Sequence, residues 1–156
     1  MTDPHSTFHA LVARSQAEQL HDAELDALWA TLTPVTVPEM LGAWKGGAFS
    51  TAHPLKQLLT KANWYGKNMN AADDVEPIVC LDENGAKFSN EKLSRGGASL
   101  WAEEFRGEVT ATMVYDGQPI HDHFKRVDAD TVMGIMNGKS GLVDGHLGYF
   151  YLQREH

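Results

Sequence analysis

The carboxyl group of Asp122 stands between two hydrophobes, Ile120 and Phe124, in the run YDGQPIHDHFKRVD from Tyr115 to Asp128. Asp116-Gly117 marks a turn, and the residues after it have strand composition. Alternate side chains of a strand share a face, which puts Ile120, Asp122 and Phe124 on one side and His121, His123 and Lys125 on the other. An unpaired carboxylate is costly to bury, so such a group finds partners or keeps its proton. A carboxylic acid held protonated by apolar surroundings can act as a general acid toward an epoxide or similar oxygen. Tyr115 and His53 are the candidates to orient a substrate or relay that proton. The competing role for Asp122 is structural, accepting hydrogen bonds from nearby backbone or from Arg126.

His121-Asp122-His123 has the residue types of a metal triplet. On a strand, however, both histidines face away from the aspartate, and a dedicated site needs three or four convergent ligands. No metal is expected, and the histidine pair reads as solvated. His9 and His21 also read as solvated. Cys80, the lone cysteine, reads as a small core hydrophobe in PIVCLD.

These residues need a scaffold. From about Phe8 to Leu32 the pattern is helical, after a loose tail over residues 1–7 and before Pro34 and Pro38. That helix is a candidate packing, lid or homodimer contact. Pro38 to Leu41 makes one helical turn, and Trp44 starts a strand in VPEMLGAWKGGAFS. A Gly-x-Trp-x-Gly run suits the first strand of a barrel, where the indole plugs one end and the glycines allow close backbone approach. Leu55–Ala62 is a short helix with Leu55, Leu58 and Leu59 on one side. Strands follow near Trp64 and over Glu76–Leu81, then an Asn84-Gly85 hairpin and a return strand from Lys87. Residues 89–104 show no clear pattern, with Arg95-Gly96-Gly97 as a loop. From Arg106 the alternation is clear, and four strands in meander order end the chain.

The count is about eight short strands, the signature of a sandwich or barrel. The expected fold is mainly β: a lipocalin-like antiparallel barrel with an N-terminal helix and a short helix after the first strand. Residues 1–34 form the tail and helix, and 35–156 the barrel. A barrel of this size can hold one small ligand. Trp44, Trp64, Met113, Phe124, Met133, Tyr149 and Tyr151 are the candidate ligand-binding residues of its wall, although alternation prevents all of them from pointing inward.

The totals narrow the partners. The net charge is −8, and residues 1–50 hold two basic residues against six acidic ones, unlike a nucleic-acid footprint. No apolar run approaches the roughly 18 residues of a membrane span, and the N-terminus lacks a signal-peptide core. A cytoplasmic protein whose partner is a small apolar molecule is the expectation.

Leu41-Gly42-Ala43-Trp44-Lys45-Gly46-Gly47-Ala48-Phe49, His53-Pro54 and Trp64-Tyr65-Gly66-Lys67 resemble the bacterial GXWXG family. Ile120 to Asp128 and the Met133-Gly134-Ile135-Met136 strand resemble that family's C-terminal partner domain of unknown function. The segments fall at about 35–90 and 105–154. A looser likeness is to bacterial α-pinene oxide lyase, which implies cofactor-free isomerase or lyase chemistry on a terpene epoxide. A weaker resemblance to nitrobindin-type haem barrels implies haem ligated by His146. The remaining alternative is a binding module that carries a hydrophobic ligand without reaction.

Overall fold

Alternation along the strands sorts the apolar residues into two sets, and the architecture follows from burying both. The computed structural model describes residues 3–156. In chain order the elements are α1 (Pro4–Ser15), α2 (Asp22–Thr31), β1 (Thr33–Pro34), α3 (Val37–Met40), β2 (Gly42–Ala48), α4 (Leu55–Lys61), β3 (Trp64–Ala71), β4 (Asp74–Leu81), β5 (Lys87–Ser89), α5 (Glu91–Ser94), β6 (Ala98–Phe105), β7 (Glu108–Tyr115), β8 (His121–Asp128), β9 (Thr131–Asn137) and β10 (Gly148–Arg154). The sheet runs β8-β7-β6-β4-β3-β2-β10-β9, and β9 pairs back with β8. Every pairing is antiparallel. Ring closure removes the free edges that an open sheet would expose.

The inward set includes Trp44, Met69, Ile78, Met113, Phe124 and Phe150. The outward set, with Phe49, Met133, Ile135 and Tyr149, packs under α1 and α2 through Phe8, Leu11, Leu25, Leu28 and Trp29. Strand β9 is therefore buried on both faces. No helix among the described residues is long and apolar enough to cross a membrane.

Four expectations are corrected. The helical stretch Phe8 to Leu32 is two helices, because the chain between them turns inward to donate Leu20 N–H to Ser50 O at 2.7 Å. The first helix begins within the supposed tail, where Asp3 accepts from Ser6 N–H and Pro4 occupies the first turn. Residues 1–2 of that tail lie outside the described residues. Leu58 is 58% exposed, so only Leu55 and Leu59 of the α4 trio pack inward. The strand at Lys87 pairs with β4 outside the ring, and its place in the barrel is taken by β6 from the patternless stretch.

Gly46, the second glycine of the GXWXG run, and Gly47 beside it have a steric reason. A Cβ on Gly46 would lie 2.1 Å from the Trp64 ring, and one on Gly47 2.3 Å from the Tyr151 ring. Each aromatic therefore lies flat on bare backbone. Trp44 is buried at the α3 end, where its indole N–H donates to Met40 O at 2.8 Å and the Arg154 guanidinium lies 4.2 Å over the ring.

Candidate functional site

Asp122 points inward from β8 and is 2% exposed. Its register partner on β7 is Met113, and on β9 it is Met136. Across the barrel, β3 brings Lys67 to it: Lys67 Nζ lies 3.3 Å from Asp122 Oδ2. The same ammonium donates to Pro77 O at 3.0 Å and lies 3.5 Å from Tyr115 Oη. The faces of Phe150, Trp64 and Tyr115 stand 5.2, 5.6 and 5.7 Å from Nζ.

The second carboxyl oxygen, Asp122 Oδ1, is buried and has no hydrogen-bond partner among the described residues. A small cavity of about 20 Å³ lies beside the pair, lined by Leu55, Leu59, Trp64, Lys67, Ile78, Tyr115, Asp122, Met136 and Phe150. That volume admits about one water molecule. Helix α4 supplies Leu55 and Leu59 to the lining. Leu59 and Trp64 also line an outer groove of about 300 Å³ between α1, α4 and β2.

Burial governs the electrostatics. Loss of solvent pushes the Asp122 carboxyl up, opposed by the neighbouring Lys67. It pushes the Lys67 amine down, opposed by Asp122. The Tyr115 phenol is pushed well up, first by burial and then by the Asp122 charge. All three environments favour the uncharged side chain, which for the Asp122–Lys67 pair places the proton toward the carboxyl.

Among the sequence candidates, the structure brings Asp122, Tyr115, Trp64, Met113 and Phe124 into the barrel interior. It separates the others. Trp44 is interior but lies at the opposite end of the barrel, where it pairs with Arg154 in register. Met133, Tyr149 and Tyr151 belong to the outward set, because β9 and β10 alternate with Val132, Phe150 and Leu152 inside. Tyr149 donates to Asp26 at 2.7 Å, and Tyr151 lines the outer groove.

His53 is not in the cavity lining. Its Nδ1 accepts Leu55 N–H at 3.0 Å, so Nε2 carries the hydrogen and donates to Gly141 O at 2.8 Å. Both nitrogens are engaged in holding α4 to the 138–145 loop, which leaves none to relay a proton. Arg126 pairs with Glu39, not with Asp122. His146 sits on a loop, bonded through Nδ1 to Asp22 Oδ2 at 2.6 Å, and does not line the interior cavity.

The outer face of β8 is not simply solvated. His123 is buried, stacked on Phe105 at 4.0 Å between centroids and bonded to Thr112 Oγ1 at 2.9 Å. Burial lowers its pKa to about 4. Lys125 is buried under α2, donating to Trp29 O at 3.0 Å and paired with Glu108. His121 remains half-exposed beside Glu103.

Lys67 was not a sequence candidate. Strand β3 shifts register against β4 between Trp64 and Gly66, so simple alternation from Trp64 misplaces it. The only available signal was its spacing from Met69, two residues on, which shares the inward face.

Two family models match the chain: "GXWXG protein" over residues 27–85 and "Domain of unknown function (DUF4334)" over residues 96–154. A solved crystal structure of a protein from Thermomonospora curvata is 39% identical, with a TM-score of 0.87, and the match covers 99% of this chain and 100% of that one. A search of the curated proteins finds no match. The likeness to α-pinene oxide lyase finds no support in these comparisons. The division between the two models falls just ahead of β6, so the first supplies Lys67 and the second Asp122 and Tyr115. The chain thus matches the GXWXG protein model in its first part and the DUF4334 model in the part that completes its barrel.

Proposed function

We propose that the barrel binds a small, largely apolar molecule bearing one oxygen, and that Asp122 protonates that oxygen in a cofactor-free isomerisation or ring opening. The observation that carries this reading is the orphaned Asp122 Oδ1 beside a cavity. A buried acceptor without a partner costs about 1–3 kcal/mol, and a ligand hydroxyl, water or the carboxyl's own proton would relieve it.

For a terpene-epoxide-like substrate the step balances as an isomerisation. Asp122 gives its proton to the epoxide oxygen as the C–O bond breaks. A neighbouring C–H then returns a proton to the carboxylate as the double bond forms. The aromatic faces of Phe150, Trp64 and Tyr115, which surround the Lys67 amine, suit the positive carbon between these events. Lys67 positions the carboxyl through Oδ2 and leaves Oδ1 to the substrate.

The cavity of about 20 Å³ is too small for such a molecule, so entry requires α4 to move. Leu59 and Trp64 line both the cavity and the outer groove, which makes the space between them the natural entrance.

The test is product analysis with a panel of small epoxides on the parent protein and Asp122→Asn. Conversion by the parent and its loss in the variant, with binding retained, are the expected results. Binding without conversion in either protein would leave a carrier and remove the acid role.

A further inference from the structure

Asp3, Pro4 and the first turns of α1 set His5 and His9 one turn apart, on the same side of the helix. Asp128, at the end of β8, meets them from the sheet. His5 Nε2 lies 3.1 Å from His9 Nε2 and 3.3 Å from Asp128 Oδ2, and the three donor atoms all lie within 4.8 Å of one another. Two donors bound about 2.0–2.1 Å from one ion at the tetrahedral angle stand roughly 3.3 Å apart. The two separations from His5 are close to that edge, and His9 and Asp128 lie within 4.8 Å of each other.

Proton bonding alone serves this arrangement poorly. His5 Nε2 carries either one hydrogen or one lone pair. A hydrogen has to be shared between the carboxylate and the second imidazole, and a lone pair can accept from His9 Nε2–H but repels the carboxylate. A single divalent ion satisfies all three atoms together.

The donors are also held in place. Asp128 Oδ1 accepts the Asp130 N–H at 2.9 Å, which turns Oδ2 toward the histidines. The His9 ring packs edge-on against buried Phe8 at 5.1 Å, and the His5 and His9 rings meet edge to face at 4.4 Å.

We infer that His5, His9 and Asp128 form a divalent transition-metal site of zinc type, which fastens α1 to the β8–β9 turn and leaves a fourth position to solvent. Two imidazoles and one carboxylate are a borderline donor set suited to Zn²⁺. The site is remote from the Asp122 cavity and does not depend on any reaction there.

The experiment titrates untagged, metal-free full chain with Co²⁺ and then Zn²⁺. The readouts are the visible absorption of bound Co²⁺ and the melting temperature. Expected are an intense tetrahedral Co²⁺ spectrum, its loss on adding Zn²⁺, and a Tm that rises with Zn²⁺. His9→Ala and Asp128→Asn should each weaken binding at least about tenfold. His21→Ala, at the start of α2, should bind like the parent. These side chains are exposed or half-exposed, so the variants fold. Absence of a Co²⁺ spectrum, or equal affinity in His9→Ala, Asp128→Asn and the parent, would overturn the assignment.

Discussion

Lys67 Nζ and Asp122 Oδ2 meet at 3.3 Å inside the barrel, from strands on opposite sides of the boundary between the two family segments. Removing one member of such a pair leaves the other buried and uncompensated, which typically costs about 3–5 kcal/mol, whereas replacing both with apolar residues is often neutral or stabilising. Lys67→Met and Asp122→Leu should each lower stability strongly, and the double variant should recover most of the loss. Urea denaturation of the four proteins measures this. Additive losses in the double variant would contradict the coupling.

The barrel was legible in the sequence wherever alternation was undisturbed, as from Val109 to Tyr115 and along β8. It failed where other forces ruled. The irregular pairing of β3 against β4 hid Lys67. Strand β6 was missed because Ala98 to Phe105 carries exposed Trp101 and two glutamates among its apolar residues. The outward roles of Met133, Tyr149 and Tyr151 were hidden by two-sided burial: when helices cover the outer face, both faces of a strand are apolar and the pattern no longer distinguishes inside from outside. Asp122 was found because a carboxyl between two hydrophobes breaks that pattern.

His53 should behave as a structural tether. His53→Ala removes the acceptor for Leu55 N–H and the donor to Gly141 O, and should destabilise the protein by about 1–3 kcal/mol. Any turnover that remains should keep the parent's pH profile. A changed profile with unchanged stability would return His53 to the chemistry.

His123 sets an acid limit on the fold. Its pKa is about 4 in the folded protein and about 6.5 in an unfolded chain. The unfolded chain therefore binds more protons between these values. The stabilising contribution is full above about pH 6.5 and is lost as pH falls toward about 4. Thermal melts across that window should show a falling Tm, with a shallower fall in His123→Gln. Equal slopes would remove His123 as the cause.

Access through α4 predicts that trimming the gate speeds entry. Leu59→Ala should raise the association rate of a small apolar probe, followed by quenching of Trp64 fluorescence, while costing about 1–3 kcal/mol for a half-buried leucine. An unchanged rate would move the entrance elsewhere.

The most direct measurement is a carbon-13 NMR titration of the Asp122 side-chain carboxyl, alone and with a small epoxide present. Expected are a midpoint above the ordinary aspartate value of about 3.9 and a resonance that shifts when the epoxide is added. A midpoint at the ordinary value, with no response to the epoxide, would contradict it.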